Sequence, residues 1–402
     1  MKKIVLSIML FGLVASINAE AIKSQPVKQL DCWRFDLERT GVSDTQGVSE
    51  KKGEKWRTNI GTKIVSSPVL SDGIIYVGAN TGFYALDATS GKEIWKIGIT
   101  KKGERQWAAS QGVESSACIA DGFVYFTAID GHLYSVNAKT GEIKWKVPTN
   151  EYVKAALSSP AVAYGVVFIR EGGYHVETGE KVWSKARCRL SPVAGVTMDG
   201  VYIPELSHSA DSCGISSIAT GLRTGSQMTA FGYSQSTATI VGNKVYGSAA
   251  ALVGTAPRFP RVAIWNLETG KVIANKYVEP HREKKDMKIV LSSTTVWDGK
   301  IYVGCDSGYM YVFDDQKAEP MFKIKAGGPV RCSASISSED GIIYFSSYDG
   351  LLYAADARTG KQKWTHKLTG PTENPTWATS CPWVEDGVVY IGTFDGDIVA
   401  IH

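Results

Sequence analysis

The sequence predicts an all-β fold: an eight-bladed β-propeller of four-stranded antiparallel blades, with its ring closed by an N-terminal strand. Three observations carry this. A unit of strands and turns recurs along the chain, each unit holds three short turns, and the last unit lacks a strand that the N-terminal region can supply.

The unit is clearest in "SSPVLSDGIIYVGANTGFYALDATSGKEIWK", from Ser66 to Lys96. Further copies begin at Ser115, Ser158, Ser292, Ser333 and Thr379, and two degenerate copies begin at Ser191 and Ser236. Strand A is the "SSPVL" type. A "DG" turn leads to strand B, "IIYVG"; "NTG" or "DG" leads to strand C, "FYALD"; "TGK" leads to strand D, which carries a Trp. Gly, Asn and Asp stand where left-handed dihedrals are needed. The strands are rich in Val, Ile, Tyr and Phe, the residues that suit a half-buried pleated surface. A solenoid would share the periodicity, but hairpin turns and ring closure favour radial repetition.

The final copy stops at Ile401-His402, after strand C. "EKWRTNIG", with Trp56, precedes the first strand A and completes the eighth blade, which removes exposed strand edges. Trp56, Trp95, Trp145, Trp183 and Trp364 share one blade position and are expected to pack between neighbouring blades as buried aromatic surface. Thr229 and Ala274 take that place in blades 4 and 5.

Ahead of the repeats, "MKKIVLSIMLFGLVASINAEA" has two lysines, an apolar run from Ile4 to Val14 and then small residues. It reads as a signal peptide over residues 1–21, cleaved after Ala19 or Ala21. Residues 22–54 form a lead-in and 55–402 a single propeller domain. Leu30-Asp31-Cys32 does not make a lipobox, because it lies far beyond the apolar run. The expected location is therefore periplasmic or secreted. Lysine plus arginine number 44 against 40 acids, a near balance that excludes a nucleic-acid coat or a general membrane-surface binder.

Of the seven cysteines, no two are adjacent and none form a CxxC or CxxCH motif. Export permits disulfides. Cys188 with Cys213 is one candidate bridge in blade 4, and Cys332 with Cys305 or Cys381 is another.

In a propeller the D-to-A and B-to-C connections share one face. Here they include long segments, Glu205–Ser216 and Ala250–Val262 in blades 4 and 5, and Glu279–Lys288 and Thr100–Gly112 between blades. Irregular loops on a rigid scaffold are where function concentrates, so a partner site is expected over blades 4 and 5. Lys63, Lys154, Arg187 or Arg189, Lys288 and Arg331 lie at the start of strand A in five copies, where they would ring the mouth of the central channel. Arg258, Arg261 and Arg282 add charge, and Trp107 and Trp377 add aromatic surface, on the same side. A funnel lined with cations focuses an anion's field. The expected ligand is an anionic small molecule or glycan, or an acidic loop of an envelope protein. No nucleic-acid partner and a monomeric state are expected. A catalytic alternative uses His208, Tyr233 and His281 as lyase bases on acidic, uronate-containing glycans, with an arginine neutralising the carboxylate. No metal site is read from the spacing.

"DGIIYVGANTGFYALDATSGKEIW", "DGLLYAADARTGKQKW" and the lead-in "CWRFDLERTGVSD" resemble the PQQ-like, quinoprotein-type propeller repeat family over nearly all of the mature chain. The resemblance implies the fold. Its members include dehydrogenases, envelope-assembly lipoproteins and sensor domains, so it leaves function open. Family dehydrogenases hold PQQ with calcium using adjacent cysteines, a Trp and acidic and amide ligands. The missing adjacent cysteines argue against that cofactor here. The expectation is a non-catalytic binding scaffold, with a uronate lyase second and a PQQ-dependent dehydrogenase third.

Overall fold

The computed structural model describes residues 29–99, 112–149, 159–169, 172–184, 202–205, 214–217, 236–250, 260–278, 292–368 and 380–402. Among them every regular element is a strand, and the strands form eight sheets. The first holds Val69–Ser71, Ile74–Ala79, Gly82–Asp87 and Glu93–Gly98, paired antiparallel in that order. The same A-B-C-D order recurs in the second, third, fifth, sixth and seventh sheets, while the fourth shows two described strands, Tyr202–Glu205 and Gly214–Ser217. Strands B and C are buried almost throughout, and strand D alternates exposed and covered residues, as an outer edge should.

In the eighth sheet, strands Trp383–Glu385, Val388–Gly392 and Asp397–Ile401 come from the C-terminus. Glu54–Asn59 lies antiparallel to Asp397–Ile401 as its outer strand, with Arg57 opposite Val399. An ionic network covers this seam. Arg57 reaches Glu54 and Asp397, each at 2.7 Å, and His366 of the seventh sheet meets Glu54 at 2.8 Å. The Arg57 guanidinium holds the Glu54 carboxyl down to about 2. A carboxylate whose folded pKa lies below its unfolded value stabilises above the unfolded value, and that contribution is lost as the pH falls through the folded one. The wild-type melting temperature should therefore fall between about pH 4.5 and pH 2 by a degree or two more than that of Glu54→Gln, the small size reflecting solvent screening. Parallel pH titrations in both proteins would refute this.

Two repeated devices join the sheets. The first explains the paired hydroxyl residues at the head of strand A. Ser66 Oγ accepts from Gly78 N and donates to Gly78 O of its own strand B, and Ser115 with Thr127 and Ser292 with Gly304 do the same. The second hydroxyl serves the neighbouring sheet: Ser67 N donates to Ser116 Oγ at 2.9 Å, Ser116 N to Ser159 Oγ at 3.0 Å, and Ser293 N to Ser333 Oγ at 2.9 Å. Cys381 N of the last sheet donates back to Ser67 Oγ of the first at 3.0 Å. Side chains thus satisfy buried backbone donors where strands A of neighbouring sheets meet.

The second device is the strand-D Trp. Trp56, Trp95 and Trp145 donate their indole N–H to Ala88, Ala138 and Val176 carbonyls of the following sheet, each at 2.9 Å. Each ring lies on the turn glycine of that sheet. A Cβ on Gly91 would stand 2.5 Å from Trp56 and one on Gly141 2.8 Å from Trp95, and both glycines have positive φ. Phe322 takes the Trp position in the sixth sheet and meets Gly360. The eighth sheet has no C-to-D turn, so Trp364 donates instead to the Val48 carbonyl of the lead-in at 2.7 Å.

Residues 29–53 form part of the core. Leu30–Cys32 adds an antiparallel strand inside strand A of the second sheet, and Val42–Ser43 adds a parallel strand to the seventh. Between them the chain bonds to strand A of the fifth and sixth sheets, Ile240 N to Glu38 O at 2.9 Å and Val296 N to Thr40 O at 3.2 Å. Leu37 packs in one cluster with residues of the third and fifth sheets. The segment then reaches the eighth through Gly387 N to Gln46 O. It forms a clasp across the face that carries the A-to-B turns.

Candidate binding surface

The clasp lies on the A-to-B side; the opposite face is built from the D-to-A and B-to-C connections. Its described centre lies where the first, sixth, seventh and eighth sheets meet. Lys63 Nζ stands 4.4 Å from the centre of the Phe394 ring. Phe394 meets Tyr348 edge-on at 6.3 Å, and the Arg331 guanidinium lies 5.1 Å from the Tyr348 ring centre. The resulting cation–aromatic–aromatic–cation row flanks a cleft lined by Ile64, Ser346, Tyr348, Ser380, Thr393 and Phe394. The cleft holds about 30 Å³, room for water.

Arg331 also forms a two-point ion pair with Asp306, Nε to Oδ1 at 2.6 Å and Nη2 to Oδ2 at 2.8 Å, with both side chains largely covered. Asp306 raises the Arg331 pKa, outweighing burial, so the arginine stays charged but its field is largely neutralised locally. Burial lowers the Lys63 pKa, and Glu114 partly offsets this. Arg261 lies away from this row, in strand Pro260–Asn266, stacked 4.4 Å over Tyr277 and bonded to its hydroxyl at 2.6 Å. The structure thus places Lys63 and Arg331 at the two ends of one aromatic row and gives Arg331 and Arg261 partners within the fold. Trp107, Lys154, Arg187, Arg189, His208, Tyr233, Arg258, His281, Arg282, Lys288 and Trp377 lie outside the described residues.

The cysteine expectations need one correction. Among the described residues no disulfide joins Cys332 to Cys305 or Cys381: Cys305 is buried in another cluster, against Tyr246 and Ile264, while Cys332 and Cys381 share a cluster with Ile336 and Phe345. Cys332 fills the first-hydroxyl position of its strand A. Its Sγ accepts from Ser346 N at 3.1 Å and donates to Ser346 O at 3.3 Å, which is the serine's role elsewhere. Cys188 and Cys213 lie outside the described residues.

Sequence reasoning missed two buried arginines under the axis. Arg39 is fully buried; it donates to the Trp33 carbonyl and, at 2.9 Å, to the Pro160 carbonyl of the third sheet. Arg34 donates to Arg39 O at 2.9 Å, to Thr294 O and, at 3.2 Å, to Thr295 Oγ1 of the sixth sheet. Burial lowers Arg34 to about 10. Asp36 lies between them and accepts from Thr40 N at 2.9 Å; burial raises its pKa, and its hydrogen bonds and the two arginines oppose that rise. The signal was present in "WRFDLERT", two arginines around one aspartate in an otherwise unexplained segment.

A quinone–calcium site finds no matching donors among these axial residues. The chain has no adjacent cysteines, the strand-A hydroxyls of Ser67, Ser116 and Ser333 are committed to the ladder between sheets, and Asp306 is held by Arg331.

Radially repeated sheets with ring-on-glycine docking and a clasped axis define a protein of the propeller-repeat class. The family model described as outer membrane protein assembly factor BamB matches residues 31–104, 84–319 and 258–402, and the chain belongs to that family. It is 32% identical over 146 residues to outer membrane protein assembly factor BamB of Burkholderia pseudomallei, covering 34% of this chain and 35% of that one. It is 30% identical over 144 residues to quinohemoprotein alcohol dehydrogenase ADH-IIG of Pseudomonas putida, covering 32% of this chain and 20% of that one. The match thus spans about a third or less of either relative's length. The solved ADHIIG structure superposes with a TM-score of 0.65 at 14% identity over 95% of this chain and 81% of that one. BamB from Moraxella catarrhalis gives 0.56 at 14% identity over 87% and 99%. At such identities the superpositions establish the fold alone.

Proposed function

We propose that this chain is an exported, non-catalytic scaffold of the cell envelope: an eight-bladed ring closed by strand Glu54–Asn59 that binds an envelope protein on its open face. The clasp carries this reading. It seals the axis on the A-to-B side with main chain and buried arginines, which leaves the face of the long connections for recognition. The family's description as an outer-membrane assembly factor supports the envelope setting. Lys63 beside the half-buried Phe394 ring, itself backed by the buried Tyr348, offers a cation on an aromatic surface, suited to an acidic loop with an apolar flank.

A photoreactive residue placed at Lys63 or Phe394 should cross-link an envelope protein in cells, whereas one at the exposed Asp121 on the clasp face should not. Cross-links from Asp121 alone would overturn the assignment. The similarity to ADH-IIG favours a second reading, a dehydrogenase. A saturable thermal shift with PQQ and calcium, together with alcohol-dependent dye reduction, would replace the scaffold by that enzyme.

A further inference from the structure

The clasp brings two cysteines face to face. In the antiparallel pair between Leu30–Cys32 and Cys118–Ala120, Cys32 stands directly opposite Cys118. Opposed residues of such a pair have Cα atoms about 4.5–5.5 Å apart, within the roughly 4.4–6.8 Å that a disulfide spans. Both side chains are fully buried and pack in one cluster with Ala120, Tyr125, Leu133 and Trp145. No other described cysteine stands opposite a cysteine in a strand pair: Cys305 faces Tyr309, and Cys332 and Cys381, which share a cluster, lie outside the paired strands.

We propose that Cys32 and Cys118 form a disulfide that latches the N-terminal clasp to the second sheet. Two thiols become one S–S bond; two protons and two electrons pass to an incoming disulfide, a small molecule or a protein, which leaves as two thiols. Exchange takes place during folding, before the pair is covered. The closed loop encloses the whole first sheet. The clasp continues directly into the closing strand Glu54–Asn59, so anchoring Cys32 also restrains the seam.

The inference relies on the proposed export for its cellular oxidant, so the first test removes location as a variable. The full mature chain is refolded in a glutathione redox buffer, denatured, alkylated without reductant and digested. The expected result is one cross-linked peptide joining Cys32 to Cys118, with neither found alkylated. Alkylation of both, or a bridge from either to another cysteine, overturns the proposal. The second test compares unfolding in urea with and without reductant. Reduction should speed wild-type unfolding about tenfold or more and leave the Cys32→Ala/Cys118→Ala double variant unchanged. A wild-type rate insensitive to reductant refutes the latch even if the bridge forms. Chain isolated from the envelope, analysed in the same way, then tests export separately.

Discussion

Arg39→Ala should be among the most damaging single substitutions in the clasp, costing on the order of 3–5 kcal/mol. Arg39 has no exposed surface, and its guanidinium ties the Trp33 carbonyl of the lead-in to the Pro160 carbonyl of the third sheet. Removing it leaves both acceptors buried without that donor and deprives Asp36 of one of its two cations. Burial already pushes the Asp36 carboxyl upward. A carboxylate left with less compensation must protonate or open the site to water. Arg39→Lys should recover only part of the loss, because an ammonium is a point charge and lacks the planar fork that serves both carbonyls at once. Urea unfolding of the three proteins would measure this. A loss below about 1 kcal/mol in Arg39→Ala would mean that backbone pairing alone holds the clasp.

The second large effect is expected at the strand-D rings. Trp95→Ala should cost about 3–5 kcal/mol. The ring is 9% exposed, lies against Tyr76 and Phe83 at centroid distances of 6.0 and 6.1 Å, and covers Gly141 of the next sheet. Its truncation opens a cavity between two rigid sheets that cannot close. Trp95→Phe should lose much less, about 1 kcal/mol. It keeps most of the apolar contact, and the Ala138 carbonyl still accepts from the Tyr76 hydroxyl at 3.1 Å. Trp56→Ala should show a different signature. Its ring is only partly buried, but it belongs to the strand that joins its sheet through hydrogen bonds without chain continuity. Its main effect should be faster unfolding, seen in urea-jump kinetics. Equal unfolding rates for Trp56→Ala and Trp95→Ala would argue that the seam opens no earlier than the other interfaces.

Much of the fold was legible because a repeat states the same physics many times. The turn glycines, the alternation within strands and the recurring Trp each had several copies to compare, and the strand missing at the C-terminus had a visible counterpart before Ser66. The repeated Ser-Ser was equally visible. Its function was not, because one hydroxyl serves its own strand and the other serves a chain neighbour some forty or more residues away (|i−j| = 49 for Ser67 and Ser116). The candidate surface was less legible. Lys63 and Arg331 precede strand A of the first and seventh sheets, but nothing in the sequence showed that Asp306 would engage Arg331 or that Phe394 and Tyr348 would stand between the two cations.

The sequence by itself determined the repeating unit, its strand order and the residues of its turns, because those depend on periodicity and local dihedral preference. Tertiary structure alone decided what the lead-in does. Residues 29–53 occur once, have no periodicity, and obtain their partners from strands A of the second, fifth, sixth and seventh sheets and from the A-to-B turn of the eighth. Only after those strands converge on one axis do Arg34 and Arg39 find carbonyls and Cys32 find Cys118. Contacts between positions so far apart in the chain follow from ring geometry, and no local pattern encodes them.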